Sequence, residues 1–165
     1  MNKGLVTIFT GEGRGKTSAA IGRAVQAAET GKRVVIIQFL KGKGLKSSEF
    51  VKRLEPDIML FCFEKSNESF ENLTEEQKQE ECRNIRNGMN YAKKVLATGE
   101  CDLLILDEVL GLVENEIITA DELSALIDSR EETSIILTGI SLKDEICFKA
   151  GEVSKIETIK FKIWE

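Results

Sequence analysis

The stretch Thr10-Gly11-Glu12-Gly13-Arg14-Gly15-Lys16-Thr17-Ser18 sets three glycines at alternate positions ahead of a lysine and two hydroxyl residues. Alternating glycines let a backbone turn tightly and aim successive N–H groups inward, an arrangement that binds anions. Lys16 adds a point charge that reaches a phosphate, and the Thr17 hydroxyl can complete the shell of a Mg²⁺ ion. A second stretch able to do chemistry is Asp102-Leu-Leu-Ile-Leu-Asp107-Glu108, where an apolar run ends in two carboxylates. Carboxylates at the tip of a buried strand hold a divalent cation against phosphates. The two stretches together predict a nucleoside triphosphate site. Gly11, Glu12, Gly13, Arg14, Gly15, Lys16, Thr17 and Ser18 would hold the phosphates, and Thr17, Asp107 and Glu108 the metal. A glycine-rich turn that binds nothing is the bland alternative, and the Lys-Thr pair after the glycines argues against it.

Such a loop needs a strand before it and a helix after it. Leu5, Val6, Ile8 and Phe9 supply the strand; Thr17 to Thr30 carries Ala19, Ala20, Ile21, Ala24, Val25, Ala27 and Ala28 on a broad apolar side, and Gly31 ends that helix. Thr10 stands where the usual G-x-x-x-x-G-K-[ST] pattern has its first glycine. Arg33 to Phe39 is β-branched and reads as a buried parallel strand. Its exit, Gln38 to Gly44, falls on the carboxyl edge, where open α/β sheets bind ligands. A short helix over 47–54 is closed by Pro56, and Asp57 to Phe63 reads as a third strand. Glu64 to Leu73 is a polar loop whose one aromatic residue is Phe70.

Thr74-x-x-Gln77 and Thr119-x-x-Glu122 are capping boxes. The first opens a helix with a stripe of Cys82, Ile85, Met89, Ala92 and Leu96, ended by Gly99; the second precedes Leu123, Leu126 and Ile127. Ser134 to Thr138 is a fifth strand that brings Thr138 to the same edge as Asp107. Leu142 to Ala150 reads as a short helix, and the alternation from Val153 to Phe161 as an exposed edge strand. The expected fold is α/β: one P-loop NTPase-like (RecA-like) domain over residues 1–165, with a mainly parallel sheet and helices on both faces.

Composition narrows the function. A net charge of −5 argues against general nucleic-acid binding, which needs a basic footprint. No apolar run approaches the ~20 residues that span a bilayer, and the first residues lack a signal-peptide pattern, so no membrane partner is expected. Cys62, Cys82, Cys101 and Cys147 stand far apart without a C-x-x-C and read as reduced, mostly buried thiols of a cytoplasmic protein. The chain has no histidine, which removes Ser-His and Cys-His nucleophile pairs and imidazole metal sites. The guanine-reading N-K-x-D is also absent, which favours ATP.

Read together, the loops are more specific. Gly11-Glu-Gly-Arg-Gly-Lys-Thr-Ser-Ala-Ala20, Gly31-Lys-Arg-Val, Gln38-Phe-Leu-Lys-Gly42, Leu106-Asp-Glu108 and Thr138-Gly139 follow in that order. This pattern resembles the P-loop ATP:corrinoid adenosyltransferases over about residues 4 to 155. The resemblance implies a Co(I) corrinoid substrate attacking C5′ of ATP, with triphosphate leaving. ATP with Mg²⁺ or Mn²⁺ would be required, and the triphosphate would lie reversed in the loop relative to ordinary P-loop ATPases. Lys16 and Glu108 would be the catalytic residues, and Phe39, Lys41 and Phe70 would face the corrinoid. An electron donor that generates Co(I) and a homodimer complete the implied partners. Ile140 stands where family members carry an arginine after Thr-Gly, and no counterpart of the family's aromatic pair follows the third strand. Two other functions fit the same loops: a P-loop ATPase or kinase, with Glu108 orienting a water, and a non-catalytic binder of ATP or corrinoid. Triphosphate, orthophosphate (or a phosphorylated acceptor) and no product, respectively, distinguish the three.

Overall fold

The computed structural model describes residues 2–40 and 49–163. Six strands, β1 (Val6–Thr10), β2 (Val34–Gln38), β3 (Ile58–Cys62), β4 (Leu103–Asp107), β5 (Ser134–Thr138) and β6 (Glu152–Lys155), form one sheet in the order β3-β2-β4-β5-β1-β6. Every pairing in it is parallel. Parallel strands need crossovers, and these are provided by α1 (Lys16–Glu29), α2 (Glu49–Lys52), α3 (Glu75–Thr98), α4 (Val109–Glu114), α5 (Ala120–Asp128) and α6 (Asp144–Cys147). β1, β2 and β4 are buried along their whole length, so their residues read as continuous apolar runs.

Alternation along the strands divides the core in two. Val35, Ile37, Leu104, Leu106, Ile135 and Leu137 face the layer that includes Ile85, Met89 and Leu96 of α3 and Leu123 and Ile127 of α5. Val34, Ile36, Leu103, Ile105 and Ile136 face the opposite side, against Ala20 and Ala24 of α1. Small residues on α1 let it sit close to the sheet, which brings its N-terminus to the carboxyl edge. Helices on both faces of a parallel sheet are the architecture the sequence implies.

Both capping boxes form. The Thr74 and Thr119 hydroxyls accept from the N–H groups of Gln77 and Glu122, and those side chains accept from the cap N–H in return. Gly31 (φ 83°) and Gly99 (φ 65°) adopt the left-handed conformation expected where α1 and α3 stop.

Four local expectations are corrected. β6 ends at Lys155 rather than reaching Phe161, because the chain then leaves the sheet edge and turns over the glycine loop. The final short helix covers only Asp144–Cys147. Residues 109–114 form a helix that the pattern did not reveal, since VLGLVE is too short to show a period. The thiols are less buried than expected: Cys101 is in the core, Cys82 is half-buried, and Cys62 and Cys147 are exposed because they lie at a strand end and a short-helix end. Burial pushes the Cys101 thiol up to about 12.

Candidate active site

The sheet order puts β5 between β4 and β1, so the carboxylate strand and the loop strand meet at Thr138. That hydroxyl is fully buried; it donates to Asp107 Oδ1 at 2.6 Å and accepts from the Glu108 N–H at 2.8 Å. From the other side the Thr17 hydroxyl donates to Asp107 Oδ1 and Oδ2 at 3.0 and 3.1 Å, and Gln38 Nε2 approaches Oδ2 at 3.5 Å. Asp107, 1% exposed, is held at the meeting point of three strands and the first turn of α1. A buried carboxylate is tolerated only with such partners.

Gly11 and Gly15 both stand at φ 105°, a conformation open to glycine, and they shape the loop around Lys16. The Lys16 ammonium donates to the Gly13 carbonyl at 2.8 Å and is almost wholly enclosed, so its charge stays inside the loop. Thr10 does what a glycine could not: its hydroxyl donates to the Ile140 carbonyl at 2.9 Å, tying the loop to the exit of β5. Gly11 N–H donates to the same carbonyl at 3.2 Å.

Glu108 adopts the left-handed conformation, φ 63°, rare for a residue with a side chain and costly by about 1–2 kcal/mol. The turn aims its half-buried carboxylate to line one cleft of about 570 Å³ with Glu12, Gly13, Arg14, Gly15, Lys16, Thr17 and Ser18. Of the phosphate and metal residues that the sequence singled out, Glu12 to Ser18 and Glu108 border this cleft, Asp107 bonds to Thr17 at its edge, and Gly11 lies outside it, on a neighbouring groove. Helix geometry leaves the first-turn amides of α1 without intrahelical acceptors, and the positive end of its dipole points at the same place. Among the described residues no group of three or more Cys, Asp or Glu side chains is placed to cage a metal. A cation here would instead use one or two carboxylates, the Thr17 hydroxyl and phosphate oxygens, which is how Mg²⁺ sits on nucleotides. These donors are hard oxygens, and they fit Mg²⁺.

The three residues assigned to the corrinoid part company. Phe39 is 1% exposed and packs in the core, where a Cβ on Gly88 of α3 would come within 2.9 Å of its ring. Its N–H donates to the Asp107 carbonyl, which extends β2 and turns the ring inward, so it offers no face to a ligand. Lys41 lies outside the described residues. Phe70 opens a single 3₁₀ turn (Phe70–Asn72) in the loop leaving β3, half-buried, with the Lys78 ammonium 5.8 Å from its ring centroid.

One polar group at this edge was not anticipated. The Glu64 carboxylate accepts from the Leu40 N–H at the exit of β2, and Leu40 (φ 54°) sits over Gly111 beside Glu108. Desolvation, with the neighbouring Glu81 adding to it, pushes Glu64 up to about 7 against the pull of the Leu40 N–H. Glu81 is itself buried, and accepts from the Lys65 N–H and from Asn84 Nδ2. In the sequence Glu64 looked like the start of a solvated loop, and only its place right after a strand hinted otherwise.

Comparison with known proteins decides the family. The sequence model of "ATP:corrinoid adenosyltransferase BtuR/CobO/CobP" matches residues 2–165. The chain belongs to that family. The corrinoid adenosyltransferase of Escherichia coli K12 is 29% identical over 159 residues, covering 96% of this chain and 79% of the relative. The enzyme named "Corrinoid adenosyltransferase CobA" in Salmonella typhimurium LT2 is 28% identical with the same coverage. Among solved structures, flagellar accessory protein FlaH from Methanocaldococcus jannaschii superposes with a TM-score of 0.59 at 18% identity, over 96% of this chain and 73% of FlaH. The KaiC-like protein PH0186 from Pyrococcus horikoshii gives 0.56 at 16% identity, over 96% and 75%. These two share the fold. As a member of the corrinoid adenosyltransferase family the chain is a transferase, and ATP and a corrinoid are its substrates.

Proposed function

We propose that the cleft binds MgATP through residues 11–18 and presents C5′ of its ribose to the Co(I) of a reduced corrinoid. A cobalt–carbon bond forms with the cobalt electron pair, the C5′–O bond breaks, and triphosphate departs with the bonding electrons. Co(I) is nucleophilic enough to need no general base, which suits a chain without histidine. The protein's contribution is to position the reactants, neutralise the leaving group and exclude water. Lys16 and the amides at the start of α1 carry the triphosphate charge. Thr17 with Asp107 and Glu108 would hold Mg²⁺ or Mn²⁺, whose chemistry is to neutralise the triphosphate. Phe70, on the loop leaving the same sheet edge, faces the corrinoid; an electron donor supplies Co(I).

The observation that carries this reading is the Asp107 cluster, in which Thr17, Thr138 and Gln38 hold one buried carboxylate beside the glycine loop. We further propose that the enzyme works in the cytoplasm as a homodimer. No helix among the described residues is long and apolar enough to cross a membrane.

The test is an anaerobic reaction of the protein with ATP, Mg²⁺ and chemically reduced cobalamin or cobinamide. The expected products are a light-sensitive adenosylated corrinoid and inorganic triphosphate in equal amounts. Orthophosphate without a cobalt–carbon bond would show an ATP hydrolase instead, and ATP binding without any product a binding protein. Light scattering at working concentration checks the dimer; a monomeric mass would remove it.

A further inference from the structure

Beyond β6 the chain turns over the glycine loop. The Ile156 N–H still donates to the Thr10 carbonyl at 2.8 Å, as a fifth residue of β6 would. From there the bonds go to the loop: the Gly13 N–H donates to the Ile156 carbonyl at 2.9 Å, and the Arg14 N–H to the Thr158 hydroxyl at 2.8 Å. The Arg14 guanidinium carbon then stands 4.0 Å from the centroid of the Phe161 ring, within cation–π range.

The glycines of the loop fit this segment closely. A Cβ on Gly11 would lie 2.6 Å from the Ile156 carbonyl oxygen, and one on Gly13 2.5 Å from it and 2.8 Å from the Glu157 Cα. The loop thus gives two adjacent amides and two glycine faces to the C-terminal segment, while Gly15 and Lys16 line the phosphate cleft. A loop with glycines at three of five positions has much backbone entropy to lose on binding an anion. Contacts that fix it beforehand lower that loss.

We propose that Thr158 and Phe161 are positioning residues for the phosphate-binding loop: they grip Arg14 from outside the cleft and hold the loop in its anion-receiving shape. This rests on the reading of the cleft as the ATP site. It assigns a role in nucleotide affinity to residues that touch neither Asp107 nor Glu108. Thr158 also borders a neighbouring groove of about 730 Å³ with Ile140, Ser141, Lys155 and Ile159, so a direct contact to the nucleoside is the rival explanation.

The experiment compares binding of ATP and of inorganic tripolyphosphate by calorimetry in wild type, Thr158→Val, Thr158→Ser, Phe161→Leu and Lys16→Ala. Thr158→Val should weaken both ligands equally, by about five-fold, the worth of one hydrogen bond. Thr158→Ser should restore binding, and Phe161→Leu, at an exposed ring that the fold does not need, should weaken both by roughly two-fold. In turnover the KM for ATP should rise in both variants while kcat and the KM for corrinoid hold. Wild-type affinity in Thr158→Val and Phe161→Leu, failure of serine to rescue, or weakening of ATP alone would overturn the proposal. Equal ATP binding by wild type and Lys16→Ala would instead overturn the ATP-site reading itself, so the two failures are distinguishable.

Discussion

Replacing Thr138 by valine removes one hydroxyl from a fully buried position and changes little else in shape. That hydroxyl donates to Asp107 Oδ1 and accepts from the Glu108 N–H, so two bonds vanish together. A hydrogen bond to a charged group contributes about 1.5–3 kcal/mol, and a buried N–H deprived of its acceptor costs about 1–3 kcal/mol. Burying a methyl group in place of the hydroxyl offsets part of this, which leaves a net loss of roughly 3 kcal/mol. For a domain of this size each kcal/mol moves the melting temperature by about 2–4 °C, so Thr138→Val should melt about 6–12 °C lower. Thermal unfolding followed by circular dichroism reads this directly. Thr138→Ser keeps the hydroxyl and should recover most of the loss. If valine melts within about 2 °C of wild type, the hydroxyl does not hold Asp107 in the way described, and the account of the site's base is refuted.

Lys16→Ala should weaken ATP binding by roughly 10- to 100-fold, since a charge-assisted contact to phosphate disappears while the fold around the loop persists; calorimetry measures it. Glu64 gives a pH signature. Its carboxyl is raised from 4.5 to about 7, so the folded state binds the proton more tightly than the unfolded chain. Its contribution is therefore fully present below about 4.5 and fades as the pH rises through about 7. Glu64→Gln, which keeps an oxygen for the Leu40 N–H, should flatten the fall in urea midpoint between pH 5 and pH 8, an effect of order 3 kcal/mol at most; an unchanged slope would refute it. Thiol titration with a disulfide reagent should modify the exposed Cys147 and Cys62 in the native protein and reach buried Cys101 only on unfolding. Reaction of all four at one rate would contradict the burial pattern.

Much of the fold was legible because its signals are local. A β-branched run such as Val34–Gln38 has to be buried on both faces, and the Thr74 and Thr119 boxes announce helix starts within four residues. The glycine loop and the paired carboxylates were likewise visible as words in the sequence. What joins them was not. That Thr138 bridges Asp107 and Glu108 depends on β5 lying between β4 and β1, and strand order is a tertiary fact. Alternation from Val153 to Phe161 suits a strand and equally a segment that leaves the sheet for a loop; the first holds as far as Lys155, and beyond it hydrogen bonds with Gly13 and Arg14 select the second. Phe39 was ambiguous for a similar reason. An aromatic residue one step past a strand can face a ligand or cap the core, and the gap opposite Gly88 takes the ring inward.

Glu108 sets a carboxylate in the cleft against an unstrained backbone. Glycine at that position would relieve a backbone penalty of about 1–2 kcal/mol and would remove the carboxylate from the cleft. A library sorted only for heat resistance would therefore enrich Glu108→Gly, and each such winner would lack the carboxylate that the proposed metal site uses. Anyone stabilising this protein should hold position 108 fixed and look for gains elsewhere.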